Sequence, residues 1–180
     1  MKLNKTGAAG AACSVIVIIG LVLSNGNVKT SQAGLELIGN AEGCQRDPYK
    51  CPADVWTDGI GNTHGVTGAR KSDVQIAADW ERNILDAERC ITRHFRGKDM
   101  PENAFSAMTS AAFNMGCSSL RTYYSKAKQR RVETSIHKWA QKGDWVNMCD
   151  HLPDFVNSGG VRLRGLEIRR EKERALCLSK

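Results

Sequence analysis

Glu42, Cys51 and Thr57 place an acid, a thiol and a hydroxyl in short succession, with eight and five residues between them. Leu35, Ile38 and Glu42 follow i, i+3, i+7 spacing, so a helix over residues 31–42 sets all three on one face. A carboxyl at the apolar edge of a helix is partly desolvated, and at the helix C-terminus the dipole disfavours negative charge. Both effects raise its pKa. A carboxylic acid that keeps its proton near neutral pH can give it to the leaving oxygen of a glycosidic bond. Position alone favours an ordinary surface glutamate, and the thiol and hydroxyl downstream shift that balance. Cysteine acts as base or nucleophile in its thiolate form, which an ordinary cysteine scarcely populates at pH 7. Arg46, Lys50 and His64 are the nearby cations that could favour it. The competing reading of Cys51 is a structural disulfide.

The elements that must position these groups follow from pattern. Ser31 caps the helix that Glu42 ends, and Gly43 stops it. Residues 43–71 are rich in glycine and hold Val55, Trp56, Thr57 and Ile60, the composition of a small turn-rich antiparallel sheet. Ser72 with Gln75 forms a capping-box pattern that opens a long linking helix over about 73–95. Shorter helices are expected at 102–115, 118–129, 132–141, 144–151 and 165–177, with a turn at Asn157-Ser158-Gly159-Gly160. The fold class is therefore α+β: a sheet lobe (43–71) and a helical lobe (about 100–180) joined by a long helix, with a cleft between them.

The chain has 180 residues, enough for one domain of residues 29–180 plus an appendage. A net charge of +7 suits an anionic partner. Its basic residues do not form a nucleic-acid tract: Arg169, Arg170, Lys172 and Arg174 alternate with Glu167, Glu171 and Glu173, which reads as a solvated helix face laced with ion pairs. No Cys or His spacing matches a metal site and no nucleotide motif occurs, so no cofactor is expected. Seven unclustered cysteines point to an oxidising compartment. No charge occurs from Thr6 to Val28, and the apolar centre is Val15 to Leu23. Lys2 and Lys5 ahead of it keep the N-terminus cytoplasmic. Residues 1–28 read as an uncleaved membrane helix, weakly apolar because of its Gly and Ala content; a cleaved signal peptide is the alternative. A lipoprotein signal is rejected because Cys13 precedes the apolar run.

Thr57-Asp58-Gly59-Ile60-Gly61-Asn62-Thr63-His64 resembles the T-x-G-x-G…H hairpin of the phage lysozymes of glycoside hydrolase family 24. Leu35-x-x-Ile38-x-x-x-Glu42-Gly43, Ala112-Phe113-Asn114-Met115-Gly116, Gly143-Asp144-Trp145, Gly159-Gly160 and Gly165-Leu166-x-x-Arg169-Arg170-x-x-Glu173 resemble other landmarks of that family. The resemblance implies a two-lobe fold around a glycan cleft and hydrolysis of the β-1,4 bond between N-acetylmuramic acid and N-acetylglucosamine in peptidoglycan. It implies Glu42 as general acid, with Cys51 and Thr57 acting on water at the other face of the sugar. The family commonly carries Asp at the second of these positions, and some members carry Cys. His64 and Asn114 are candidate cleft-lining residues. The rivals are a lytic transglycosylase on a similar fold and a non-catalytic, membrane-anchored glycan-binding protein. The need to position water makes Cys51 and Thr57 favour hydrolysis.

The cysteines suggest regulation. A Cys44–Cys51 bond would block the catalytic sulfur, while Cys13, embedded in lipid, could not react. Once outside the bilayer, Cys13 could attack Cys44 and liberate Cys51 by thiol–disulfide exchange. Cys90, Cys117, Cys149 and Cys177 would form two further bonds, for which three pairings are possible. This agrees with what resemblance to signal-anchor-release endolysins implies: export by the host Sec machinery, tethering on the inner membrane facing the periplasm, then release as a soluble monomer. The alternative is three static disulfides and an idle Cys13.

Overall fold

The computed structural model describes residues 12–51 and 54–180. The first described helix, α1 (Val15–Asn25), is capped by Ser14, whose side chain accepts from the Val17 amide, and is ended by Gly26 in the left-handed conformation (φ 68°). It has 11 residues, and no helix among the described residues is long and apolar enough to cross a membrane. Of the expected membrane segment, residues 1–11 lie outside the described residues. The rest is folded into the domain: Ile18, Ile19 and Val22 are buried against α2 (Gln32–Glu42) and α3 (Asp73–His94). The outer side of α1 keeps Ile16 78% exposed and Val17 48% exposed. Gly39 permits the close approach of α1 to α2, because a Cβ there would meet Val15 Cγ1 at 2.5 Å.

After α2 comes an irregular antiparallel hairpin, β1 (Gln45–Lys50) with β2 (Trp56–Gly59), pairing Tyr49 with Thr57. Then α3 begins at a true capping box: Ser72 Oγ accepts from the Gln75 amide, and Gln75 Oε1 accepts from the Ser72 amide. Its first half packs Ile76, Ala77, Trp80 and Ile84 into one apolar cluster with α1 and α2. Its second half packs Ala87, Cys90 and Ile91 into a second cluster built on α4 (Glu102–Met115) and α8 (Arg164–Leu178). One helix thus belongs to two cores.

The helical lobe departs from expectation at residues 118–129. Helix α5 stops after Cys117–Arg121, and the chain turns into a second hairpin, β3 (Thr122–Ser125) with β4 (Arg130–Glu133). The β-branched and aromatic run Thr122-Tyr123-Tyr124 favours extended backbone, and Gln129 takes a positive φ (50°) at the turn. Helices α6 (Ser135–Lys142) and α7 (Trp145–Asp150) follow, then a 3-10 turn at Leu152–Asp154. The Asn157–Gly160 turn is itself a short hairpin, β5 (Asn157–Ser158) with β6 (Val161–Arg162). Three disulfides join Cys13 to Cys44, Cys90 to Cys117, and Cys149 to Cys177. Of the three pairings the sequence left open for the last four cysteines, the fold selects the one that ties α3 to α5 and α7 to α8.

Because Ile18 is fully buried and Ile16 is not, Ile18→Ala is expected to cost about 2–5 kcal/mol in denaturant unfolding. Ile16→Ala is expected to stay within about 0.5 kcal/mol of the parent. Equal effects would show that α1 does not belong to the core.

Candidate active site

Glu42 is the last residue of α2, and Gly43 after it turns with φ 73°. Leu35 and Ile38 on the same face are completely buried, whereas the Glu42 side chain keeps 24% exposure and its Oε1 accepts from Arg169 Nη1 at 2.7 Å. The apolar enclosure expected for this carboxyl is therefore replaced by an ion pair with α8. Its other oxygen faces the hairpin turn: a Cβ at Gly61 would lie 3.2 Å from Glu42 Oε2, and Gly61 also has φ +64°. A side chain at position 61 would be strained and would press on the carboxylate.

Arg169 is not a solvated helix-face residue as its sequence setting suggests. It is 8% exposed, and Arg170 and Glu173 are fully buried. Glu173 Oε1 accepts from Ser110 Oγ (2.7 Å), Arg169 Nε (3.2 Å) and Arg170 Nη2 (3.1 Å), while Arg170 Nε lies 2.8 Å from Glu173 Oε2. Arg170 Nη2 also donates to Asn114 Oδ1 at 3.0 Å. Burial pushes the Glu173 carboxyl up, against the opposing pull of Arg170, Ser110 and Arg169. The sequence pattern of alternating charge concealed this network. Its clue was the pair Ser110 and Asn114, i and i+4 on α4, facing Arg170 and Glu173, i and i+3 on α8.

Thr57 is 4% exposed and its hydroxyl donates to Val55 O at 3.1 Å. Cys51 is half-buried and is in no disulfide; its amide donates to Val55 O and its carbonyl accepts from the Asp54 amide. Two of the cations proposed to act on it are engaged elsewhere: Arg46 pairs with Asp73 at 2.6 Å and Lys50 with Asp54 at 2.7 Å. Sequence reasoning missed Tyr49. It is half-buried on β1, opposite Thr57, and its phenol pKa is raised by burial and then by the negative charges of Glu42, Cys51 and Asp58.

The hairpin is braced from behind. Asp58, fully buried, pairs with Lys71, which also donates to Asp79. Asn62 donates to Asp58 and accepts from Arg82 and Asn83 on α3. The grooves nearby divide the remaining candidates. Glu42 opens onto one of about 1020 Å³ between α2 and the start of α8, bounded also by Asn40, Asn114, Leu166 and Arg169. Asn114 borders a second of about 420 Å³ with Ser119, Phe155 and Asn157. His64 is exposed and lines a third of about 330 Å³ with Thr63 and Phe113. Cys51 and Thr57 line none of these three. Among the described residues no group of His, Cys, Asp and Glu could hold a metal ion.

An alkaline absorbance titration tests the clustering around Tyr49. Tyr49 should ionise late, above its ordinary value of 10.0. The folded chain then holds a proton that the unfolded chain loses, so stability falls as pH rises from 10.0 toward the folded value. Glu42→Gln removes one negative charge and should move the late transition down. No movement would show that Glu42 and Tyr49 do not interact.

Residues 39–173 match the family model described as phage lysozyme. The SAR-endolysin of Escherichia phage P1 is 77% identical, covering 99% of this chain and 97% of its own. A crystal structure of the active form of P1 phage endolysin superposes with a TM-score of 0.92 at 80% identity, covering 94% of this chain and 96% of that one. The secreted inactive form of the same endolysin gives only 0.64 at 83% identity, covering 83% and 95%. The chain belongs to the phage lysozyme family and is a glycoside hydrolase of the endolysin type.

Proposed function

We propose that the chain cleaves the β-1,4 bond between N-acetylmuramic acid and N-acetylglucosamine in peptidoglycan, with Glu42 as general acid and Cys51 and Thr57 serving the water. The observation that carries this reading is the placement of Glu42, fixed through Oε1 by a buried arginine and opening Oε2 toward the hairpin. Oε1 is held, so Oε2 is the oxygen that carries the proton to the departing sugar oxygen. The Thr57 hydroxyl gives its hydrogen to Val55 O, so its lone pairs accept from water and aim that water's oxygen. Cys51 takes the water's proton or holds the water in line.

The same reading makes this the working conformation of a switched enzyme. Cys13 is bonded to Cys44 and Cys51 is in no disulfide, and the likeness to the active P1 endolysin exceeds that to the inactive one. In the tethered state residues 1–28 lie in the inner membrane, facing the periplasm, and Cys44 is bonded to Cys51. On release the Cys13 thiolate attacks the Cys44 sulfur. The Cys13–Cys44 bond forms, the Cys44–Cys51 bond breaks and Cys51 leaves as thiolate, with no net oxidation. The relatives' SAR-endolysin designation supports the tethering and release, and the Cys13–Cys44 bond supports the exchange.

Two measurements test the proposal. Glu42→Gln should leave no cleared band on a cell-wall gel, and retained clearing would remove Glu42 from the mechanism. Mass spectrometry of the products should show reducing ends; 1,6-anhydro ends would make the chain a transglycosylase. For the switch, Cys13→Ser protein released from membranes should retain Cys44–Cys51 and lyse poorly; lysis at the parental rate would exclude exchange.

A further inference from the structure

Two carboxylates on α3 take no part in the site described above. Glu81 and Glu88 are 8% and 5% exposed, and among the described residues neither has a lysine or arginine within ion-pair distance. Among the described residues, all the hydrogen bonds to these carboxylates come from residues 25–30, the segment leaving α1. Asn25 Nδ2 donates to Glu81 Oε2 at 2.5 Å and Asn27 Nδ2 to Glu81 Oε1 at 2.7 Å. The Lys29 and Thr30 amides donate to Glu88 Oε1 at 2.8 and 2.7 Å, and Thr30 Oγ1 adds a third bond at 2.7 Å. Gly26, left-handed between the two asparagines, turns the chain so that both amides reach one carboxylate. Glu81 and Glu88 stand two helical turns apart, so the acceptors are fixed about 10 Å from each other on a rigid helix.

A buried anion stripped of partners is costly, and hydrogen bonds to charged groups exceed neutral ones in strength. Apolar contacts alone would let α1 slide or rotate on α3, since Ile18, Ile19 and Val22 offer no directional bond. The two carboxylates do not tolerate such a slip, because the donors fall out of reach when the segment moves by one residue. At the far end of α1, Cys13 meets Cys44 with Cα atoms 5.2 Å apart and the Cys13 amide donating to Cys44 O at 3.2 Å. A shift of one residue there carries the sulfur out of bonding range.

We propose that Glu81 and Glu88 form a latch for residues 25–30, setting the register in which α1 docks and thereby delivering Cys13 to Cys44. They are positioning residues: they touch neither glycan nor sulfur. While α1 is elsewhere, the two carboxylates stand without these donors, and capture of the asparagines and the Lys29–Thr30 amides favours the docked state. This rests on the exchange reading given above.

The experiment changes the donors rather than the α3 carboxylates, so that the α3 core is untouched. Full-length Asn25→Ala/Asn27→Ala protein, released from membranes, is equilibrated in a glutathione buffer, and its disulfide isoforms are quantified by differential alkylation and mass spectrometry. The ratio of Cys13–Cys44 to Cys44–Cys51 should fall by roughly tenfold or more, given what hydrogen bonds to charged groups contribute. The same two substitutions in a Cys13→Ser/Cys44→Ser chain should leave wall-clearing activity per mole unchanged, because no exchange is needed there. A parental isoform ratio in the asparagine variant overturns the latch. An equal loss of activity in the serine background also overturns it, by making the asparagines general stabilisers. If the membrane-bound parent never contains Cys44–Cys51, the exchange reading fails and the latch fails with it.

Discussion

The Glu173 carboxylate has no water to charge against, and the site follows from how that is resolved. An isolated buried carboxylate is untenable, so two guanidiniums and a serine hydroxyl close around it. Each guanidinium has more donors than Glu173 can use. The surplus donor of Arg169 reaches Glu42, and that of Arg170 reaches Asn114. The position of the proposed acid on α2 is therefore set from α8, more than a hundred residues later, through a charge pair whose arginine is buried. Of the small residues on α4, Ser110 supplies the hydroxyl that meets Glu173.

A second dependency runs through α3. Its N-terminal half shares a core with α1 and α2, and its C-terminal half shares one with α4 and α8. Displacing α1 would strip Val22, Ile19 and Ile18 from the first core while leaving the second intact. The first core thus gains three apolar side chains when the N-terminal segment docks, and the second, which holds none of them, gains nothing.

Much of the fold was legible because local chemistry agreed with tertiary structure. Ser72 and Gln75 specify a helix start, Gly43 and Gly143 specify stops, and the span 102–115 is a helix in pattern and in space. Residues 118–129 were misread because one helical turn of Cys117–Arg121 precedes a hairpin whose loop, Lys126–Gln129, has no strong turn residue. Residue types and spacing drew attention to Glu42, and the resemblance to the phage lysozymes implied roles for Glu42, Cys51 and Thr57. They did not reveal Arg169, Arg170 and Glu173, because alternating charges at helical spacing look alike whether water or another helix faces them. Tyr49 was missed for a different reason: its relation to Glu42 depends on the irregular register of β1, which no pattern in the sequence encodes. The pairing of the last four cysteines likewise required the helices to be placed first.

The apolar outer side of α1 carries a consequence for how this sequence can change over generations. Ile16 and Val17 face water although nothing in the folded domain needs them there. On the proposed reading they are the trace of a stretch that dissolves in two media, lipid and then protein interior, and so is tuned to neither. A polar replacement would tidy the finished enzyme and spoil its earlier lodging, while a greasier one in place of Gly20 would strengthen the lodging and delay departure. That reading confines the stretch to a narrow band of middling greasiness, which its glycines and alanines would maintain.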